Sequence, residues 1–214
     1  MNVFVLCTGR CGSKTFIEAC KHITNYSAAH ESRRGLLGSG RLAFPPNHIE
    51  ADNRLSWFLG RLERAYGDHA MYVHLRRNDL DTAQSYVRRW KFKYGIIRAY
   101  SLAITAWPPP EMNPLDICLD YCETVNSNIE AYLADKTHKM NFSLENAKED
   151  FKRFWDLIGA QGDLEGALAE WDRSYNSSEQ MELEQQKAKR PFLLRLLYKP
   201  VRIIKKLPEF IKTA

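Results

Sequence analysis

No stretch of this 214-residue chain approaches the roughly 18 consecutive apolar residues of a membrane-spanning helix. Met1 leads almost directly into Val3, Phe4, Val5, Leu6 and Cys7, with no basic segment and no small-residue cleavage site. Neither a membrane anchor nor a secretory leader is therefore expected. Cysteine is scarce and odd in number: Cys7, Cys11, Cys20, Cys118 and Cys122 contain no C-x-x-C pair. That excludes a disulfide scaffold and a structural zinc module, suits a reducing cytoplasm, and leads us to expect no metal site. A basic body is also missing. The net charge is +5, but residues 187–214 hold nine cations against Glu209 alone, a net of +8. The preceding 186 residues carry 22 basic and 25 acidic side chains, a net of −3. The positive charge is an appendage, and nucleic acid is not an expected partner.

What is present is an alternation of apolar runs and helical periodicities. Residues 3–7 form a β-favouring run that ends at Thr8-Gly9, and from Lys14 onward Phe16, Ile17, Ala19, Cys20 and Ile23 recur at helical spacing. Residues 26–29 read as a second strand, and residues 32–48, rich in Arg, Gly and Pro, as a long loop. Asp52 is a plausible N-cap for a helix to about Tyr66, with Leu55, Phe58, Leu59 and Leu62 on one face. A buried strand at 71–75 runs into Arg76-Arg77-Asn78 and a helix from Asp79 to about Trp90. Helices near 97–107, 117–133, 145–158 and 164–171 and a strand at 138–142 follow. Such βα alternation predicts a three-layer α/β/α domain with a central parallel sheet over residues 1–178, and a basic amphipathic segment over 179–214.

Between the first strand and helix lies Thr8-Gly9-Arg10-Cys11-Gly12-Ser13-Lys14-Thr15. Glycines admit close backbone approach, and free N–H groups at a helix start favour an anion. Arg10, Lys14, Ser13 and Thr15 add donors. A Walker A loop would need glycines where Thr8 and Ser13 stand. The strand at 71–75 ends in arginines, with no magnesium-binding aspartate, so a second, metal-free phosphate site fits better than a nucleoside triphosphate.

On these residues the chain resembles the sulfotransferase family that uses 3′-phosphoadenosine 5′-phosphosulfate (PAPS). Arg10-Cys11-Gly12-Ser13-Lys14-Thr15 looks like that family's loop for the 5′-phosphosulfate. Arg77, followed eight residues on by Ser85, looks like its arginine–serine pair for the 3′-phosphate. The resemblance implies a P-loop-NTPase-like sulfotransferase fold and transfer of a sulfuryl group from PAPS to an acceptor hydroxyl, on a glycan, a lipid or a small molecule, by in-line displacement. It implies that Arg10, Cys11, Gly12, Ser13, Lys14, Thr15, Arg77 and Ser85 bind the donor. Lys14 departs from the pattern, standing where many members have a hydroxyl, so Arg10 and Lys14 compete for the bridging oxygen, with Arg10 preferred.

An incoming hydroxyl must lose a proton, and His30-Glu31, after the second strand, are the candidate bases. Glu31 is preferred, with His30 orienting or substituting, although a solvated polar pair opening a loop would look the same. Asn53 and Arg54 are candidate acceptor contacts or merely first-turn helix residues. His74 reads as a core histidine, Trp90 as a stacking or core aromatic, and Cys118 with Cys122 as a packed helix face.

The tail interleaves its cations with Leu193, Leu194, Leu196, Leu197, Val201, Ile203, Ile204 and Phe210. It fits an anionic membrane surface or its own domain equally well. Two other functions stay open: a P-loop kinase or nucleotide phosphotransferase, and a non-catalytic nucleotide-binding, membrane-associated module.

Overall fold

The computed structural model describes residues 1–92, 95–173 and 175; the expected boundary at residue 178 and the basic tail lie outside them. Five parallel strands form one sheet: β1 (Asn2–Leu6), β2 (Ser27–His30), β3 (His48–Ala51), β4 (Ala70–Arg76) and β5 (Lys139–Ser143), in the order β2-β3-β1-β4-β5. The helices are α1 (Ser13–Cys20), α2 (Leu59–Tyr66), α3 (Asp79–Val87), α4 (Ile96–Ala99), α5 (Pro114–Leu133), α6 (Ala147–Leu157) and α7 (Leu164–Ala169).

The period of two along each strand sorts the core into two layers. Val3, Val5, Met71, Val73 and Leu75 face α1, α6 and α7, where Phe16 packs edge to face on Phe151 and at a tilt on Phe154. Phe4, Leu6 and Tyr72 face the opposite layer, built from α2, α3, α4 and α5. Both faces are covered, so β1 is buried at every position and reads as a continuous apolar run without polar alternation. Fully burying each such side chain contributes about 1.5–3 kcal/mol.

Two expectations need correction. Between the loop expected to end at His48 and the helix expected from Asp52 lies an unforeseen strand, β3, paired with both β1 and β2. The helix expected from Asp52 to Tyr66 is two pieces: a 3-10 turn, Asn53–Trp57, and then α2. The strand was hidden because its polar residues satisfy each other in the interior. Glu50 is fully buried and accepts bonds from the Ser32 N–H and hydroxyl, both at 2.7 Å, while His48 Nε2 lies 3.0 Å away. With β3 in place, a strand beside β1 does lead into an aspartate. Asp52 is fully buried, caps the 3-10 turn through the Arg54 N–H at 2.8 Å, and pairs with the equally buried Arg41 at 2.5 Å.

The chain runs from β1 out to β2, returns through β3, and crosses to β4 and β5, so the connections diverge beside β1. In parallel sheets the crevice at such a divergence, beyond the strand C-termini, is where ligands bind. Here it gathers residues 7–13, 31–34, 52–54, 77–78 and 144–146.

Candidate functional site

The turn after β1 is held open by its backbone. Gly9, Arg10 and Gly12 all have positive φ, at +83°, +62° and +92°. A Cβ on Gly9 would stand 2.6 Å from Tyr86 Oη and 2.9 Å from Asn53 Nδ2, and one on Gly12 2.7 Å from Leu144 Cδ1. Glycine is the residue these positions admit. The carbonyl of Thr8 fixes the approach: it accepts from Tyr86 Oη at 2.6 Å, Tyr121 Oη at 2.7 Å and Asn53 Nδ2 at 3.4 Å. Loop, α3, α5 and the 3-10 turn therefore meet at one oxygen. Cys11 is buried, and a hydrogen bond from Cys7 together with nearby backbone N–H groups lowers its thiol pKa; this thiol is part of the turn's interior.

Arg10 leaves this turn toward α3, where its Nε donates to the buried Ser85 hydroxyl at 3.1 Å. Residues 75 positions apart in sequence thus share one side of the crevice. Burial pulls the Arg10 pKa down to about 10, and Arg89, Arg77 and Arg88 push it the same way, opposed by Tyr86. Arg89 lies in the turn that follows α3, four residues beyond Ser85. It was not singled out from the sequence, though that spacing was available. Like charges around a half-buried guanidinium disfavour its charged form, as burial does.

Arg77 follows β4, its guanidinium 3.7 Å from Asp81. Its turn is tied to the end of β5 by Glu145, which accepts from the Asn78 N–H at 2.8 Å. Burial would raise the Glu145 pKa, but the bonds from Ser143 and Asn78 and the charge of Arg77 leave it lowered. Glu145 carried no sequence signal, because its partner lies 67 residues away.

On the other side of the turn, Ser13 Oγ, at the first residue of α1, is 3.1 Å from His30 Nε2 at the end of β2. Burial lowers the His30 pKa below its ordinary 6.5, Lys14 contributes in the same direction, and Glu31 works against both. Burial therefore favours the neutral imidazole. Glu31 has φ +50° and donates its N–H to Ala51 O at 3.0 Å, which turns the chain out of the sheet. Its carboxylate is shared by Arg54 at 3.0 Å and Arg34 at 3.1 Å. Arg54 also reaches Asn53 Oδ1 at 3.4 Å. Lys14 lies against Glu18 at 3.6 Å with its side chain 42% exposed, and Thr15 is buried in α1.

The crevice therefore brings together Arg10, Gly12, Ser13, His30 and Ser85 by direct bond or shared turn, with Glu31, Asn53 and Arg54 as a second chain of contacts beside them. His74 is a core histidine bonded to Asn126 at 3.2 Å. Cys118 and Cys122 are packed within the α5 core layer. The helix expected to reach Trp90 ends at Val87, and Trp90 lies under Arg98, 5.6 Å from ring centre to guanidinium.

Neither a protein-family model nor a curated protein sequence matches the chain. Among solved structures it is similar to the sulfotransferase domain from the curacin biosynthetic pathway, with a TM-score of 0.54 and 13% sequence identity over 81% of this chain and 78% of that one. At that identity the likeness is one of fold alone.

Proposed function

We propose that this protein is a PAPS-dependent sulfotransferase acting on a hydroxyl-bearing acceptor. The observation that carries the reading is the bond from Arg10 Nε to Ser85 Oγ, 3.1 Å long, which joins two motifs expected separately for the two ends of one bisphosphorylated nucleotide. The residues fit such a donor. Arg10, Arg77, Arg88 and Arg89 supply positive charge around the turn at 9–12.

The donor, when bound, supplies the sulfuryl group. Gly12, Ser13, Lys14 and Thr15 offer the α1 N-terminus and side-chain donors to its 5′ side, while Arg77 and Ser85 hold its 3′-phosphate. In this reading Arg10 stabilises the charge that grows on the leaving oxygen, with Lys14 neutralising from the rim. His30 takes the acceptor proton on Nε2, the atom now facing Ser13, because burial favours its uncharged, basic form. This reverses the order of preference taken from sequence. Glu31, engaged by two arginines, orients Arg54 and Asn53 toward the acceptor.

A kinase reading would draw on Asp52, next to the loop strand, as a magnesium ligand. Its carboxylate is already engaged by buried Arg41, which argues for the metal-free reaction. The test is transfer of label from sulfur-labelled PAPS to a panel of hydroxyl compounds. Label should reach an acceptor with wild type and not with Arg10→Ala. Transfer of phosphate from magnesium-ATP with no transfer of sulfur would overturn the proposal.

A further inference from the structure

One turn along from the catalytic crevice is a cleft that the donor reading does not use. The 3-10 turn Asn53–Trp57 carries Arg54 at one end and Trp57 at the other. In a 3-10 helix residues three apart eclipse, so Trp57 lies on the Arg54 edge, about 6 Å further along the axis. Trp57, Phe58, Gly60, Arg61 and Arg64 line a cleft of about 380 Å³ there. That is the size of a small-molecule subsite.

Its chemistry is cationic and aromatic. The guanidinium of Arg61 lies over the Phe58 ring at 5.4 Å, as does that of Arg41 at 5.3 Å. Among the described residues neither Arg61 nor Arg64 is paired with a carboxylate, since Glu63, between them, is held by Lys136. The loop over residues 32–48 is tied to α2 beside it, because Arg61 donates to Gly38 O.

We infer that this cleft receives an anionic group on the acceptor itself, a carboxylate or a phosphate, with Arg61 and Arg64 binding the charge and Trp57 lying against the ring or chain that carries it. The acceptor role rests on the sulfotransferase reading; the anion site does not. The substrate class that follows is a hydroxyl compound already bearing negative charge, such as an acidic or phosphorylated sugar. Fork-shaped guanidinium donors match both anions, so the two are distinguished by experiment.

The full-length protein, without nucleotide, is titrated with glucuronate, glucose 6-phosphate and glucose. At least one charged sugar should bind about tenfold or more tightly than glucose, the size of a charge-assisted contact, and whichever binds better names the anion. Arg64→Gln changes an exposed helix position and should reduce that preference severalfold while leaving the fold intact. Arg61→Gln with Arg64→Gln should abolish it. Equal binding of the three sugars, or no binding of any at about 10 mM, well above a weak site's millimolar affinity, would overturn the inference. So would a charge preference that survives the double substitution. Adenosine 3′,5′-bisphosphate is titrated into the same protein separately. A charged-sugar preference without nucleotide binding would preserve the cleft and refute the donor reading; nucleotide binding without the preference would do the reverse.

Discussion

Gly9 is constrained by the αL backbone and by two side chains that touch where its Cβ would be, Tyr86 and Asn53. Gly9→Ala should therefore lower stability by about 1–3 kcal/mol, read as a shift in the urea midpoint without a change in slope. The glycines and Arg10 at this turn were legible in sequence because a phosphate loop is local in the chain. The partners of Thr8 were not, since Tyr86 and Tyr121 come from 78 and 113 residues away. His30 and Glu31 were legible as a pair, but their division of labour was not: it depends on Arg34, Arg54 and Ser13, which only folding brings to them. The lowered His30 pKa fixes a sign. Below that pKa, itself below 6.5, the imidazole gains a proton, so kcat/KM should be level above pH 6.5 and fall as pH drops through it. The stability gained by burying the neutral ring follows the same course, present above 6.5 and lost on acidification. His30→Gln should remove the acidic limb and about 100- to 10,000-fold of turnover while leaving nucleotide affinity intact. Turnover that survives His30→Gln and collapses in Glu31→Gln would return the role to Glu31.

At the scale of elements, β3 is the instructive failure. Its four residues, His48–Ala51, include a histidine and a glutamate, which any reading by hydropathy assigns to a surface. The strand exists because Glu50 finds Ser32 and His48, and because β1 and β2 need a neighbour on that side. The buried pair Arg41 and Asp52 then clamps the loop over 32–48 to the end of β3. Removing one partner of a buried ion pair leaves an uncompensated charge. Asp52→Asn, which keeps an oxygen for the Arg54 N–H, should cost about 3–5 kcal/mol in equilibrium unfolding. A loss below 1 kcal/mol would mean that Arg41 reaches water and that the loop is not clamped. Elements with strong periodicity, such as α5 and α6, were placed within a few residues, because their apolar faces meet the sheet as the pattern demands.

For the molecule as a whole, alternating strands and helices made the parallel sheet and its two helical layers readable. They did not reveal how many strands lie on each side of β1. The division of charge leads to a separate expectation. If residues 187–214 contact anionic lipid, deleting them should abolish sedimentation with anionic vesicles and leave nucleotide affinity nearly unchanged, since each surface cation contributes on the order of 1 kcal/mol there. A fall in melting temperature with no vesicle binding to lose would place the tail on its own domain. The central claim concerns neither tail nor acceptor but the union of two loops into one site for a 3′- and 5′-substituted nucleotide. Calorimetry with adenosine 3′,5′-bisphosphate and adenosine 5′-monophosphate addresses it most directly. The bisphosphate should bind about ten- to a hundredfold tighter, and Arg77→Ala should erase most of that difference. Equal affinity of the wild-type protein for the two nucleotides would contradict the account.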